Sequence, residues 1–143
     1  MEVENFFSSN YDGSKRFTQQ NVKMANATGF GAAADDYMER GIDLNEQLIR
    51  NKPATFFMRV NGNSMINAGI GEGDILIVDR SLKPVNGKIV IAVIDGEMLV
   101  RRYEKTINKL LLISEGKQSS SIDVNEFSDF KVWGVVIYVI RAF

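Results

Sequence analysis

Lys88-Ile89-Val90-Ile91-Ala92-Val93-Ile94 and Met98-Leu99-Val100-Arg101-Arg102-Tyr103 are two apolar-rich runs separated by Asp95-Gly96-Glu97. Asp-Gly between two such runs is a strong hairpin signal, since tight hairpin turns need residues that tolerate positive φ. The chain on both sides of it has the same texture. Phe56-Phe57-Met58-Arg59-Val60 and Asp74-Ile75-Leu76-Ile77-Val78-Asp79 read as strands, and Lys109 to Ser114 and Val132 to Ile140 supply two more. Short strands at this spacing predict a mainly β fold, a compact and strongly bent barrel-like domain with its edges closed off. Ser119-Ser120-Ser121 reads as a loop marker, and there is no internal repeat.

One short helix precedes the strands. Leu44, Leu48 and Ile49 recur at helical spacing, Asp43 and Glu46 are disposed like a capping box, and the helix ends before Pro53. Ahead of it the pattern dissolves. Phe6, Phe7, Tyr11 and Phe17 are scattered among Ser, Asn, Gln and charged residues with no helical or alternating period, which reads as an extended N-terminal arm. The small-residue run Ala25-Asn26-Ala27-Thr28-Gly29-Phe30-Gly31-Ala32-Ala33-Ala34 ends it. Such a run suits a linker, and equally a segment that enters a narrow cleft in extended form. The expected organisation is an arm over residues 1–28 and a β-rich core over residues 29–143.

Composition removes several kinds of chemistry. The chain has 143 residues, 45% of them hydrophobic, with two Pro, and 17 Lys plus Arg against 18 Asp plus Glu. That length suits one domain, or one domain with a tail. It has no Cys and no His. Disulfides, thiol nucleophiles, Ser-His-Asp triads and ordinary zinc sites are thereby excluded, and no metal or other cofactor is expected. Hydrolysis would have to use carboxylates, or a Ser with a Lys. A net charge of -1 argues against nucleic acid as the main ligand, so no direct DNA binding is expected. No apolar run reaches the ~18–20 residues of a membrane span. The opening Met1-Glu2-Val3-Glu4-Asn5 is acidic where a signal peptide would be basic, and the expected location is cytoplasmic.

The stretch able to carry chemistry is Val60-Asn61-Gly62-Asn63-Ser64-Met65-Ile66-Asn67-Ala68-Gly69-Ile70-Gly71-Glu72-Gly73-Asp74, which joins two strands. Read by itself it is either a long polar loop containing an ordinary Ser, or a Ser at a turn followed by amides able to bind an oxyanion. Pattern alone does not separate the two.

Several blocks in order and spacing resemble the LexA/UmuD family of self-cleaving Ser-Lys peptidases, the UmuD-like members most closely. They are Gly62-Asn63-Ser64-Met65-Ile66, Gly73-Asp74-Ile75-Leu76-Ile77-Val78-Asp79, Asn86-Gly87-Lys88-Ile89-Val90-Ile91-Ala92 and Val132-Trp133-Gly134-Val135-Val136-Ile137-Tyr138-Val139. Ala33-Ala34-Asp35-Asp36-Tyr37 and Ile42-Asp43-Leu44-Asn45 also fit, so the resemblance spans roughly residues 29–143. Repressors of the LexA type carry a DNA-binding domain ahead of this core, for which this chain has no room. The resemblance implies that a neutral Lys amine removes the proton of a Ser, which attacks a peptide bond of the chain's own arm. Ser64 falls on the nucleophile, the backbone amides of Ser64 and Met65 are the natural oxyanion donors, and the scissile bond falls at Thr28-Gly29. Gly matches the family's leaving side, whereas a β-branched Thr replaces its usual Ala or Cys.

The general-base position falls at Arg101. A buried Lys amine starts from a pKa of ~10.4 and is brought toward neutrality by desolvation. A guanidinium starts far higher than an amine and keeps its proton in proteins. Arg101 can therefore donate a hydrogen bond to Ser64 but cannot take its proton. Lys105 lies four residues farther along the same strand, roughly 13 Å away at ~3.3 Å per residue, and nothing places Lys88 near Ser64. A Lys-to-Arg substitution made to keep the chain whole and a naturally non-cleaving homologue both account for Arg101.

By resemblance, the first expectation is an SOS-response accessory protein of translesion, error-prone DNA synthesis. Its self-cleavage would be stimulated by a RecA–single-strand-DNA filament, and its shortened homodimer would join a UmuC-type Y-family polymerase subunit. The alternative is a non-catalytic regulatory or dimerisation module whose cleft holds the arm without cutting it. A plain β-domain and a signal-peptidase-like enzyme, which also uses Ser-Lys chemistry but with a membrane anchor, are the remaining readings. The apolar run Val135 to Ile140 suits either a dimer interface or a monomer core.

Overall fold

A computed structural model describes residues 2–8 and 41–143, and these fall into two units, residues 2–8 with 51–143 and residues 41–50. The smaller unit contains α1 (Leu44–Leu48), whose N-cap Asp43 accepts the Asn45 amide at 3.0 Å. Asp43 thus caps the helix as its position predicts. Ile49, the residue after the last turn, donates its amide back to the Asn45 carbonyl at 2.9 Å.

The larger unit is one curled antiparallel sheet of eight strands. They are β1 (Val3–Ser8), β2 (Thr55–Val60), β3 (Ile75–Asp79), β4 (Ile89–Ile94), β5 (Glu97–Lys105), β6 (Leu110–Glu115), β7 (Ser119–Asp123) and β8 (Phe130–Ile140). Their order across the sheet is β1-β2-β3-β8-β4-β5-β6-β7. β8 is the hinge of this order. Its first half pairs with β4, Val90 opposite Val135 and Ile94 opposite Phe130. Its second half pairs with β3, Asp79 opposite Val135 and Ile75 opposite Ile140. Register shifts at Ile77/Val78 and Ile91/Ala92 accompany the change of partner and bend the sheet into a half-barrel.

The hairpin read from Asp95-Gly96 is present. Both residues have positive φ, 48° and 85°, and β4 pairs with β5 from Ile94 opposite Glu97 to Ile89 opposite Arg102. The unbroken apolar run of β4 has a physical reason, since both faces of the strand are covered. Ile91 packs with Val3, Met58, Met65, Ile70, Leu76 and Val100, whereas Val90, Ala92 and Ile94 pack with Tyr103, Leu112, Val124 and Val135.

Two strands depart from the sequence reading. Ser119-Ser120-Ser121, read as a loop marker, instead opens β7 and pairs with β6, where Ser114 Oγ and Ser120 Oγ lie 2.8 Å apart and the serines satisfy one another across the hairpin. Val3–Ser8, read as part of an arm without period, pairs with the free edge of β2, Val3 opposite Val60. Val3 is fully buried in the core. Edge closure is partial: the start of the chain turns toward β5, where the Glu2 amide donates to the Met98 carbonyl at 3.3 Å. Thr28, Gly29, Tyr11 and Phe17, and with them the boundary between residues 28 and 29, lie outside the described residues. No helix among the described residues is long and apolar enough to cross a membrane.

Candidate active site

The loop between β2 and β3 carries Ser64, and its ends are tied together. The Val60 amide donates to the Asp74 carbonyl and the Gly73 amide to the Val60 carbonyl, both at 2.9 Å. Within it a single 3-10 turn, Ile66–Ala68, follows the serine. Met65 and Ile70 point into the core, each 1% exposed, and pin the loop from below. Asn63 Oδ1 accepts the Glu72 amide at 3.1 Å, and Asn67 Nδ2 donates to the Gly116 carbonyl at 2.8 Å. A loop fixed at both ends, at its base and at its rim holds a hydroxyl in one place at little further entropic cost.

Asp74 closes this loop. It is 3% exposed, and its Oδ2 accepts the Gly71 amide at 2.8 Å. Arg141, just beyond β8, donates to both of its oxygens, Nε to Oδ1 at 2.9 Å and Nη2 to Oδ2 at 2.7 Å. The hydrogen bond from Arg141 holds the Asp74 carboxyl below its usual value, with the Gly71 amide adding to the effect and burial opposing it.

β5 delivers Arg101 to the serine. Arg101 is 8% exposed, and its Nη1 donates to Ser64 Oγ at 3.2 Å. The same nitrogen lies 2.9 and 2.7 Å from Glu2 Oε1 and Oε2 and 2.7 Å from the Val100 carbonyl. An arginine Nη carries two hydrogens, so these four acceptors compete for them. Meanwhile Arg101 Nε is buried without a hydrogen-bond partner. Arg101 thus meets all four acceptors through one nitrogen.

Glu2 is the residue that sequence reasoning did not place here. Its carboxylate also accepts the Val100 amide at 3.0 Å, its own amide meets Met98, and its carbonyl accepts the Asn61 amide. The pairing of β1 with β2, itself hidden in the sequence, and these bonds to β5 bring it to Arg101. Of the other residues named from sequence, the Ser64 and Met65 amides donate to no described residue. Lys105 is held at the far end of β5, where its amide donates to Asn86 Oδ1 at 2.6 Å. Lys88 lines a groove of about 380 Å³ with Ala68, Ile70, Arg102, Val136 and Tyr138. Neither lysine bonds Ser64.

Ser64, on its braced loop, thus faces the buried guanidinium that β5 supplies. The Peptidase S24-like family matches residues 21–137. The chain belongs to this family. Within it, the chain is 43% identical over 118 residues to Protein ImpA of Salmonella typhimurium, covering 79% of this chain and 77% of that protein. It is 35% identical over 113 residues to Protein MucA of Escherichia coli, covering 78% and 77%. It also shares 35% identity over 115 residues with LexA repressor 1 of Xanthomonas campestris pv. campestris, covering 80% of this chain but 57% of the repressor. These relatives bear out the resemblance, and the chain is a UmuD-like member of the S24 peptidase family.

Proposed function

We propose that this S24-family protein is an SOS-response accessory factor of translesion DNA synthesis, built to cut its own arm at Thr28-Gly29 and impaired in doing so by Arg101. The observation that carries the reading is the hydrogen bond from Arg101 Nη1 to Ser64 Oγ at 3.2 Å, where a general base would sit. With Lys at position 101, a neutral amine takes the Ser64 proton while Oγ adds to the Thr28 carbonyl carbon. The tetrahedral intermediate's oxyanion is met by the Ser64 and Met65 amides. The Thr28–Gly29 bond then breaks as the proton passes to the Gly29 amine. Water attacks the resulting ester, releasing the Thr28 carboxylate and restoring Ser64. With Arg at position 101 the first proton has nowhere to go.

By the same reading a RecA–single-strand-DNA filament stimulates the cut, and residues 29–143 serve a UmuC-type Y-family polymerase as a homodimer. Two features support a dimer. β8 changes partner at Val135, so among the described residues its 136–140 segment has no partner on the β4 side, and Val139 and Ile140 are 39% and 37% exposed. The second reading, a regulatory module with a permanently filled cleft, is favoured by the Glu2 carboxylate lying on Arg101.

The test is intact mass after long incubation across a pH series, for the chain, Arg101→Lys, and Arg101→Lys with Ser64→Ala. Release of a fragment of residues 29–143 by Arg101→Lys alone supports the dyad. No cut at that bond in any variant, with a RecA filament present, transfers the case to the filled-cleft module.

A further inference from the structure

Position 101 is not the only feature that separates this site from a working Ser-Lys pair. Glu2 places a carboxylate 2.7 Å from the nitrogen that bonds Ser64, and that ion pair is largely withdrawn from solvent, with side-chain exposures of 10% for Arg101 and 22% for Glu2. The contact is built. β1 pairs with β2 in register from Val3 opposite Val60, Val3 is buried in the core, and the Val100 amide fixes the carboxylate from β5. A carboxylate held this way favours the charged form of any cation beside it.

The other groups around position 101 offer no counterweight. Its partner on β4 is Val90, and the register of Arg102 with Ile113 sets it opposite Ser114 on β6. The adjacent Arg102 is occupied by Glu115 at 2.7 Å and by the Gly87 carbonyl, and Tyr103 packs into the core. Among the described residues, Glu2 is the carboxylate paired with Arg101.

We infer that Glu2 is a second lock on self-cleavage, a positioning residue that clasps the N-terminal strand to the cleft and keeps whatever cation stands at position 101 protonated. This rests on the Ser-Lys reading given above. It follows that restoring the lysine alone yields a base still held by Glu2. Such a base loses its proton only at alkaline pH, whereas removing the Glu2 charge as well returns it toward neutrality.

The experiment compares full-length Arg101→Lys with Glu2→Gln/Arg101→Lys and Glu2→Ala/Arg101→Lys, following the fragment of residues 29–143 by mass from neutral to alkaline pH. Amide exchange of β2 and β5 reports whether each variant keeps its fold. The expected result is that the pH midpoint of cleavage falls by about one unit or more when Glu2 is neutralised, raising the rate near pH 8 roughly ten-fold. A variant that merely loosens β1 changes the rate at every pH and leaves the midpoint where it was. Equal midpoints in the single and double variants overturn the role of Glu2 and leave the dyad standing. Absence of cleavage in all three at every pH overturns the dyad reading itself, and the lock falls with it.

Discussion

Arg141 reaches back across 67 residues of chain to grip both oxygens of Asp74, the residue that closes the Ser64 loop. A side chain beyond the last strand is thereby wired to the candidate nucleophile. Arg141 Nη2 also lies 3.3 Å from the Gly69 carbonyl, so one guanidinium spans two points of the loop. Replacing it by Met leaves a buried carboxylate with the Gly71 amide as its remaining described partner. The expected outcome is a lower denaturation midpoint and faster exchange of the Gly71 amide, with little change at the β4–β5 turn, where the Asp95 amide donates to the Asp129 carbonyl. Hydrogen exchange read by mass spectrometry checks this.

The same pair sets an acid limit. The Asp74 carboxyl titrates below its usual value in the folded chain, chiefly through its hydrogen bond with Arg141. The unfolded chain therefore binds more protons in that range, and stability rises with pH there. The contribution of Asp74 is fully present above the unfolded value of ~3.9 and is lost as pH falls through the lower folded value. Urea denaturation at stepped pH is expected to show this loss in the unsubstituted chain. In Asp74→Asn that part of the acid dependence is absent, and stability at neutral pH is lower.

The β4–β5 turn gives a backbone test. Gly96 has a φ of 85°, and the preceding Asp95, at 48°, is of a residue type that tolerates this region. Gly96→Ala is expected to destabilise the chain by roughly 1–2 kcal/mol, the cost of a left-handed L-residue. Asp95→Asn is expected to be close to neutral. Chemical denaturation of both variants distinguishes turn conformation from side-chain chemistry.

A close approach in the middle of β8 makes a larger claim. A Cβ added at Gly134 would lie 2.6 Å from Val78 Cγ1 and 3.4 Å from the Asp79 carbonyl. The strand crosses here from β4 to β3, and the bend leaves no room for a methyl group. Gly134→Ala is expected to cost about 1–3 kcal/mol through overpacking. Combining it with Val78→Ala, which vacates the clashing atom, is expected to recover part of that cost, measured as a coupling between the two sites.

The sequence was most legible where local chemistry and tertiary packing agree. Asp95-Gly96 forms a tight turn, and the strands around it are long enough to show their apolar content. Ser119–Asp123 was hidden because serines carry little β signal, and their pairing depends on Ser114 from the neighbouring strand. Val3–Ser8 was hidden because its apolar residues Val3, Phe6 and Phe7 do not alternate with polar ones, and an edge strand is specified by the edge it covers. The site followed the same division. Ser64 and Arg101 were found through a family pattern of spaced blocks, and the chain places them 3.2 Å apart. Glu2 and Arg141 had no local signal, since each reaches the site only through strand order.

Gly116 gives a test that separates loop geometry from stability. It opens the β6–β7 hairpin beside the Ser64 loop, and a Cβ there would lie 3.1 Å from the Asn63 carbonyl oxygen, 3.3 Å from the Ser64 oxygen and 3.4 Å from Ser64 Cα. All three are backbone atoms, which yield less readily than a side-chain end. The loop is held at its base by Met65 and Ile70, so it answers by shifting the serine a few tenths of an ångström rather than by unfolding. In an Arg101→Lys background, Gly116→Ala is expected to slow release of the fragment of residues 29–143 on the order of ten-fold, as misplacement of a nucleophile does. The denaturation midpoint is expected to move much less. Cleavage rate and denaturation measured on the same preparation decide it, since a loss of rate that merely tracks a loss of fold removes the geometric argument for Ser64.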